Sequence, residues 1–202
     1  MDPVAGYASG TSSSTLGAAI LDDIISRYTS LQQQGIYTPE VGQKVAEKMA
    51  ATLKPEIPYK RYSASDIKTD PDTTLARALA YRSALQDTLK PLLKNTQPEF
   101  EIFAQYVDTK DEQYLMRLRE IAQDYRDAAS ASALVVTPAD AVGQHVAILN
   151  AMEEFAAMLD AMAANAADPL ASVALLRTYN QAEADMLLSF KALALYYTQK
   201  NT

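Results

Sequence analysis

A chain of 202 residues that is 49% hydrophobic and 21% charged has the make-up of an ordinary globular protein, one domain or a domain with a small appendage, and not of a disordered segment. Its net charge of −7 lies in one half: residues 1–100 hold 11 basic and 11 acidic side chains, residues 101–202 hold 7 and 14, and no Lys or Arg falls between Ala128 and Leu176. Such a surface repels phosphate, which argues against broad nucleic-acid binding and against contact with an anionic membrane. The lack of cysteine excludes disulfides, thiolate catalysis and Cys-based metal centres and leaves the redox compartment open.

The chain begins MDPVAGYASGTSSSTLG, without the basic flank and apolar run of a signal peptide. Residues 1–13 read as a flexible lead or linker, and residues 14–202 as a single all-α domain. The spacing of Leu16, Ile20, Ile24, Tyr28 and Leu31 predicts a helix near 14–34, with Gly35 closing it. Thr38 then Pro39 start a second helix, near 39–53, with Val41, Val45, Met49 and Leu53 on one face. Residues 14–53 thus form a helical hairpin, either packed on the rest or projecting from it.

Residues 54–72 are the longest irregular stretch and hold PYKRY: Tyr59, Lys60, Arg61 and Tyr62. Aromatic and basic groups together in a loop suit protein contact. A connector resting against the acidic half of the chain has the same composition.

Residues 73–202 read as the main antiparallel bundle. A helix near 73–95 starts from Asp70 or Asp72 beside Pro71, carries Leu75, Leu79, Leu85, Leu89 and Leu92, and bends at Pro91. Thr96 and Glu99 have capping-box spacing before a short helix with Phe100, Phe103 and Val107. Thr109 and Glu112 repeat that spacing before a helix near 110–134 with Tyr114, Leu118, Ile121 and Tyr125. Thr137–Pro138 opens a helix near 138–166 carrying Val142, His145, Leu149, Met152, Phe155, Leu159 and Met162. Asp168–Pro169 opens the last, near 169–199, with Val173, Leu176, Tyr179, Leu187, Phe190 and Tyr197. That makes about seven helices. No strand pattern competes: SALVVT is the lone β-branched run and leads straight into a helix start.

Candidate chemistry is sparse. His145, the single histidine, lies on the apolar stripe between Val142 and Leu149, with no carboxylate or second histidine one turn away. A helical metal site needs such a partner. The residue reads as a buried imidazole bonded to a tyrosine, an amide or a backbone carbonyl. The neighbouring acids Glu153–Glu154 and Asp22–Asp23 point about 100° apart on a helix and so do not converge. No nucleophile elbow and no phosphate-cradling glycine loop occurs. Met152 and Met162 fit core packing, and a haem held by His and Met has no supporting motif. We therefore expect no catalytic, cofactor or metal residues, and no enzyme. Twelve tyrosines against four phenylalanines and no tryptophan suit helix margins and interfaces.

The segments YTSLQQQGIYTPEVGQKV, VVTPADAVGQHVAILNAMEEFAAMLDAM, DPLASVALLRTY and LALYY resemble a family of helical proteins encoded by candidate-phylum bacteria with very small cells. The matching positions are Pro138, Ala141, His145, Ile148, Leu149, Asn150, Asp168 and Pro169, and the likeness spans most of residues 20–200. It brings no assigned activity. It implies a domain outside the cytoplasm, usually behind an N-terminal transmembrane anchor, which this sequence lacks; the Gly/Ser-rich lead suits a tether to one. The expectation is a non-catalytic, envelope-facing scaffold or interaction domain. Its partner would be a protein, not a nucleic acid, and this segment itself would not touch a membrane. The alternatives are a cytoplasmic location and a small-ligand-binding helical bundle with a cavity near His145.

Overall fold

The computed structural model describes residues 14–52 and 55–200. The expected lead, residues 1–13, and Leu53 lie outside them. Seven α-helices are found among the described residues: α1 (Thr15–Gln33), α2 (Pro39–Thr52), α3 (Leu75–Leu89), α4 (Glu99–Thr109), α5 (Glu112–Ser132), α6 (Val142–Asn165) and α7 (Pro169–Lys200). The architecture is an all-α, multi-helix one. A 3₁₀ turn, Lys90–Lys94, follows α3 where Pro91 stops the regular helix.

α6 is the axis of the bundle. Ile148, Leu149, Met152, Phe155, Met158, Leu159 and Met162 are all fully buried, and they spread over more of the circumference than one stripe. A helix apolar on several sides must be covered on several sides. α5 and α7 flank it, α4 packs on α5, and α3 reaches α5 and α7. One part of the core gathers Phe103, Leu118, Phe155, Leu159, Leu175 and Tyr179. The other gathers Tyr81, Leu85, Ile148, Met152 and Leu193.

The apolar stripes of α3, α4 and α7 sit differently from expectation. Leu75, Leu79, Phe100, Val107, Val173 and Leu187 are exposed, while Ala78, Tyr81, Ala171, Ala174, Leu175 and Ala182 face inward. Alanines let neighbouring helices approach closely, and the larger side chains beside them stay at the rim.

The helix starts sort by local competition. Thr38 caps α2 through the Val41 N–H at 3.2 Å, and Gly35, at φ +66°, closes α1 while Ile36 N–H donates to the Leu31 carbonyl at 3.2 Å. Asp168 caps α7, accepting from Leu170 and Ala171 N–H at 3.0 and 3.2 Å. Elsewhere the cap moves. Thr74, not Asp70 or Asp72, caps α3 through Arg77 N–H, because Asp72 is already taken by Thr74 N–H. The Thr96–Glu99 box is not formed; Pro98 leads into α4. Thr109 ends α4, since Lys110 turns the chain at φ 59° and leaves Asp111 to cap α5. Thr137 caps nothing and enters a strand.

That strand corrects the expectation of none. β1 (Thr69–Asp70) and β2 (Thr137–Pro138) pair in parallel, Thr69 opposite Thr137, and Thr137 N–H donates to the Lys68 carbonyl at 2.8 Å. The β-branched end of SALVVT pairs with the tail of the connector and fastens it to the α5–α6 link.

α1 is rooted at a shared joint. Ser14 caps α1 through Gly17 N–H at 3.0 Å. Its own N–H and hydroxyl donate to Asp168 Oδ2 at 2.7 and 2.8 Å. One carboxylate thus serves the starts of two helices, where both dipoles favour negative charge. Gly17 is needed here, since a Cβ would fall 1.8 Å from that oxygen. Beyond Ile20 the hairpin leaves the bundle: Leu21, Ile24, Ile25, Tyr28, Ile36 and Tyr37 are exposed. The projecting arrangement is the one adopted.

Candidate interaction surface

His145 is fully buried and uses both ring nitrogens. Nε2 lies 3.1 Å from the Ser132 carbonyl, which can only accept, so this nitrogen carries the proton. Nδ1 then accepts the Tyr81 hydroxyl at 2.8 Å. Burial holds the imidazole down at about 4, against a weaker upward pull from the Ser132 carbonyl. The ring therefore stays neutral and links α3, α5 and α6. A bond to tyrosine and to a backbone carbonyl is what its place on the apolar stripe implies.

The PYKRY segment is strapped to α6. Tyr62 is buried and its backbone is clamped by one side chain: Tyr62 N–H donates to Asn150 Oδ1 at 2.7 Å, and Asn150 Nδ2 donates to the Tyr62 carbonyl at 3.0 Å. Lys60 donates to the Tyr62 hydroxyl at 2.7 Å and lies over its ring. The Arg61 guanidinium sits 4.9 Å from the Tyr59 ring centroid. The segment lies against α6 where Glu153 and Glu154 sit. Burial pushes the Glu154 carboxyl up, helped by the charge of Asp185 and opposed by the Tyr59 hydroxyl and Arg61. Two clefts flank the strap. One of about 760 Å³ is lined by Ile57, Tyr59, Arg61, Glu154, Met158 and Gln181. The other, about 420 Å³, is lined by Tyr59, Lys60, Gln123, Arg126, Asp127 and Glu153. Tyr59, Lys60 and Arg61 border open clefts, while Tyr62 is an anchor.

The acids of the stretch that lacks Lys and Arg find cations and donors from elsewhere. Lys200 pairs with Asp140 at 2.6 Å and Arg126 pairs with Asp160. A second titratable cluster lies where α4, α5 and α7 meet: Tyr125 of α5 donates to Glu99 of α4 at 3.3 Å, and within α7 Tyr179 donates to Glu183 at 3.3 Å. Burial, then the charge of Glu183, raises Glu99. Among the described residues no three His, Asp or Glu side chains converge to hold a metal ion, and no helix is long and apolar enough to cross a membrane.

The largest feature that the sequence reading missed is the outer face of the hairpin. Leu21, Ile25, Ile36 and Tyr37 fall outside the stripe of Leu16 to Leu31, yet they join exposed Ile24 and Tyr28 on the projecting part. Tyr37 meets the Tyr28 ring edge-on at 4.9 Å between centroids. The signal was present: adjacent pairs Ile20–Leu21 and Ile24–Ile25 widen the apolar face of α1 beyond what one packing neighbour covers. Contiguous exposed apolar surface of this kind marks interaction sites.

No protein-family model, curated protein or solved structure matches the chain.

Proposed function

We propose that this chain is a non-catalytic helical scaffold that holds a protein partner through the projecting α1–α2 hairpin, and that it does so on the envelope-facing side of a membrane. The observation that carries the reading is the exposed row Leu21, Ile24, Ile25, Tyr28, Ile36 and Tyr37 on an element whose first helix has its buried residues, Gly17 and Ile20, at its base. Apolar side chains on such an arm gain nothing from the bundle and gain burial from a partner. The strap residues Tyr59, Lys60 and Arg61 offer a second, polar contact region. The envelope-facing part rests on the family resemblance and on the Gly/Ser-rich lead.

The test is a photo-crosslinking side chain at Ile25 in native cells, with one at exposed Asn180 as control. A discrete adduct from position 25, lost when Ile24 and Tyr28 are made serine, is the expected result. Equal labelling at both positions, or none, defeats the hairpin as docking element. Protease treatment of intact cells tests location: digestion is expected, and protection that persists after the outer layers are permeabilised would place the protein in the cytoplasm.

The alternative, a small-ligand bundle with its cavity beside His145, must reckon with a ring whose two nitrogens are both bonded to protein groups. A ligand reaching it has to displace Tyr81 or the Ser132 carbonyl.

A further inference from the structure

α6 carries one carboxylate that the fold leaves without a partner. Glu153 is 4% exposed, and a charged side chain that deep is ordinarily paired. Among the described residues it makes no hydrogen bond and no ion pair. The side-chain atoms that are sealed from solvent and lack a partner there belong to Asn95, Asp124 and Tyr197. The Glu153 oxygens are not among them, so they are reached from the cleft that Glu153 lines, the one of about 420 Å³ beside the strap.

Three elements build that cleft. Gln123, Arg126, Asp127 and Ser130 fall at i, i+3, i+4 and i+7 and present one face of α5. Pro58, Tyr59 and Lys60 come from the strap, and Glu153 and Ala157, one turn apart, from α6. The cations there are already engaged. Arg126 pairs with Asp160. Lys60 donates to the Tyr62 hydroxyl at 2.7 Å and lies 4.3 Å from the centroid of that ring. The Tyr62 hydroxyl is the main cause that holds the Lys60 ammonium above its usual pKa, and the Glu153 charge is a lesser one. Asp127 accepts from the Gln123 amide at 2.7 Å and, among the described residues, has no cation partner. Two unpaired carboxylates thus share the cleft with one cation, Lys60, and the site is short of a positive charge. Its acceptors, Glu153, Asp127 and the Ser130 hydroxyl, suit the three N–H donors of an ammonium. Pro58, Tyr59 and Ala157 supply apolar wall for a short chain behind it.

We propose that this cleft binds a primary ammonium group on a short alkyl chain, with the ammonium on Glu153 and the chain against Pro58, Tyr59 and Ala157. The group arrives on a free alkylamine or as a lysine side chain. No hairpin residue lines the cleft, so this site stands or falls independently of docking through α1 and α2.

The test is NMR titration of the full chain with pentylammonium, the free amine, and with Nα-acetyl-lysine methylamide, the lysine side chain. Saturable shifts centred on the amides of Ser130, Glu153 and Ala157 are expected. Binding of pentylammonium but not of the lysine derivative identifies a free amine; binding of the lysine derivative identifies a lysine side chain. Glu153→Gln, equal in size, should weaken binding about tenfold or more while the spectrum away from the cleft stays as it was. Asp127→Asn, on the exposed rim, should weaken it severalfold, and Glu101→Gln, an exposed acid of α4, should leave it unchanged. Pentanol and pentyltrimethylammonium, which lack the charge or the N–H donors, should bind far more weakly. The proposal is overturned if neither probe binds saturably to the unaltered chain, if pentyltrimethylammonium binds equally well, or if Glu153→Gln makes no difference. It is also overturned if the ammonium binds only after Lys60→Gln, which would make Lys60 the partner of Glu153 in solution.

Discussion

α1 and α6 carry apolar residues at the same helical spacing and meet opposite fates. On α6 the row from His145 to Met162 is buried along its whole length. On α1 Gly17 and Ile20 are buried and Leu31 is half-buried, but Ile24 and Tyr28 between them lie open to solvent. Periodicity reports that a helix has a face to cover. Whether the cover comes from the same chain depends on where neighbouring elements end. α6 is flanked by two long helices, α5 and α7, whereas α1 packs on α7 and is bonded to it through Ser14 and Asp168.

That contrast predicts a graded response to mutation. Phe155→Ala, at the centre of α6, should cost about 3–5 kcal/mol, read as a loss of urea midpoint at unchanged slope. His145→Gln should cost about 1–3 kcal/mol by disturbing two buried bonds. It should also flatten the acid response. The folded imidazole titrates at about 4 and the unfolded one at 6.5, so the unfolded chain takes up the proton first as pH falls. Stability tied to the neutral ring is complete above pH 6.5 and falls by up to about 3 kcal/mol as pH drops toward 4; in His145→Gln that part of the slope disappears. An equal slope in the variant would refute the assignment.

Asp168→Ala removes a helix cap and the anchor of a second helix. A cost of about 1–2 kcal/mol is expected, with amide-exchange protection lost in α1 and the first turn of α7 while α6 keeps its own. Uniform loss across all helices would show that the hairpin is not a separable unit. Ile24→Ser should change stability by less than about 0.5 kcal/mol and yet weaken crosslinking from position 25. A large stability loss there would mean that α1 is core after all, and would erase the distinction from α6.

The helices were legible because each signal was local. An apolar period, Thr38 before Pro39, Gly35 after Leu31 and Asp168 before Pro169 all act within one turn. What was hidden is non-local. Ser14 reaches Asp168 across 154 positions, Asn150 clamps Tyr62 across 88, and Thr69 pairs with Thr137 to form strands too short to leave a pattern. Threonines 96 and 109 misled for a different reason: cap spacing alone does not decide among several polar residues when a neighbouring Pro or left-handed residue fixes the turn. For the site, His145 was read as a buried polar group from its stripe alone. The exposed hairpin needed knowledge of what fails to pack.

The joint at Asp168 has a mechanical consequence. α1 spans 19 residues, a lever about 28 Å long, seated at its base on the Asp168 carboxylate and on the buried Gly17 and Ile20. A sideways pull on the hairpin tip is multiplied at that root. Force applied at the tip is therefore concentrated on the first turn and a half of α1, where Ser14, Gly17 and Ile20 hold it to the bundle.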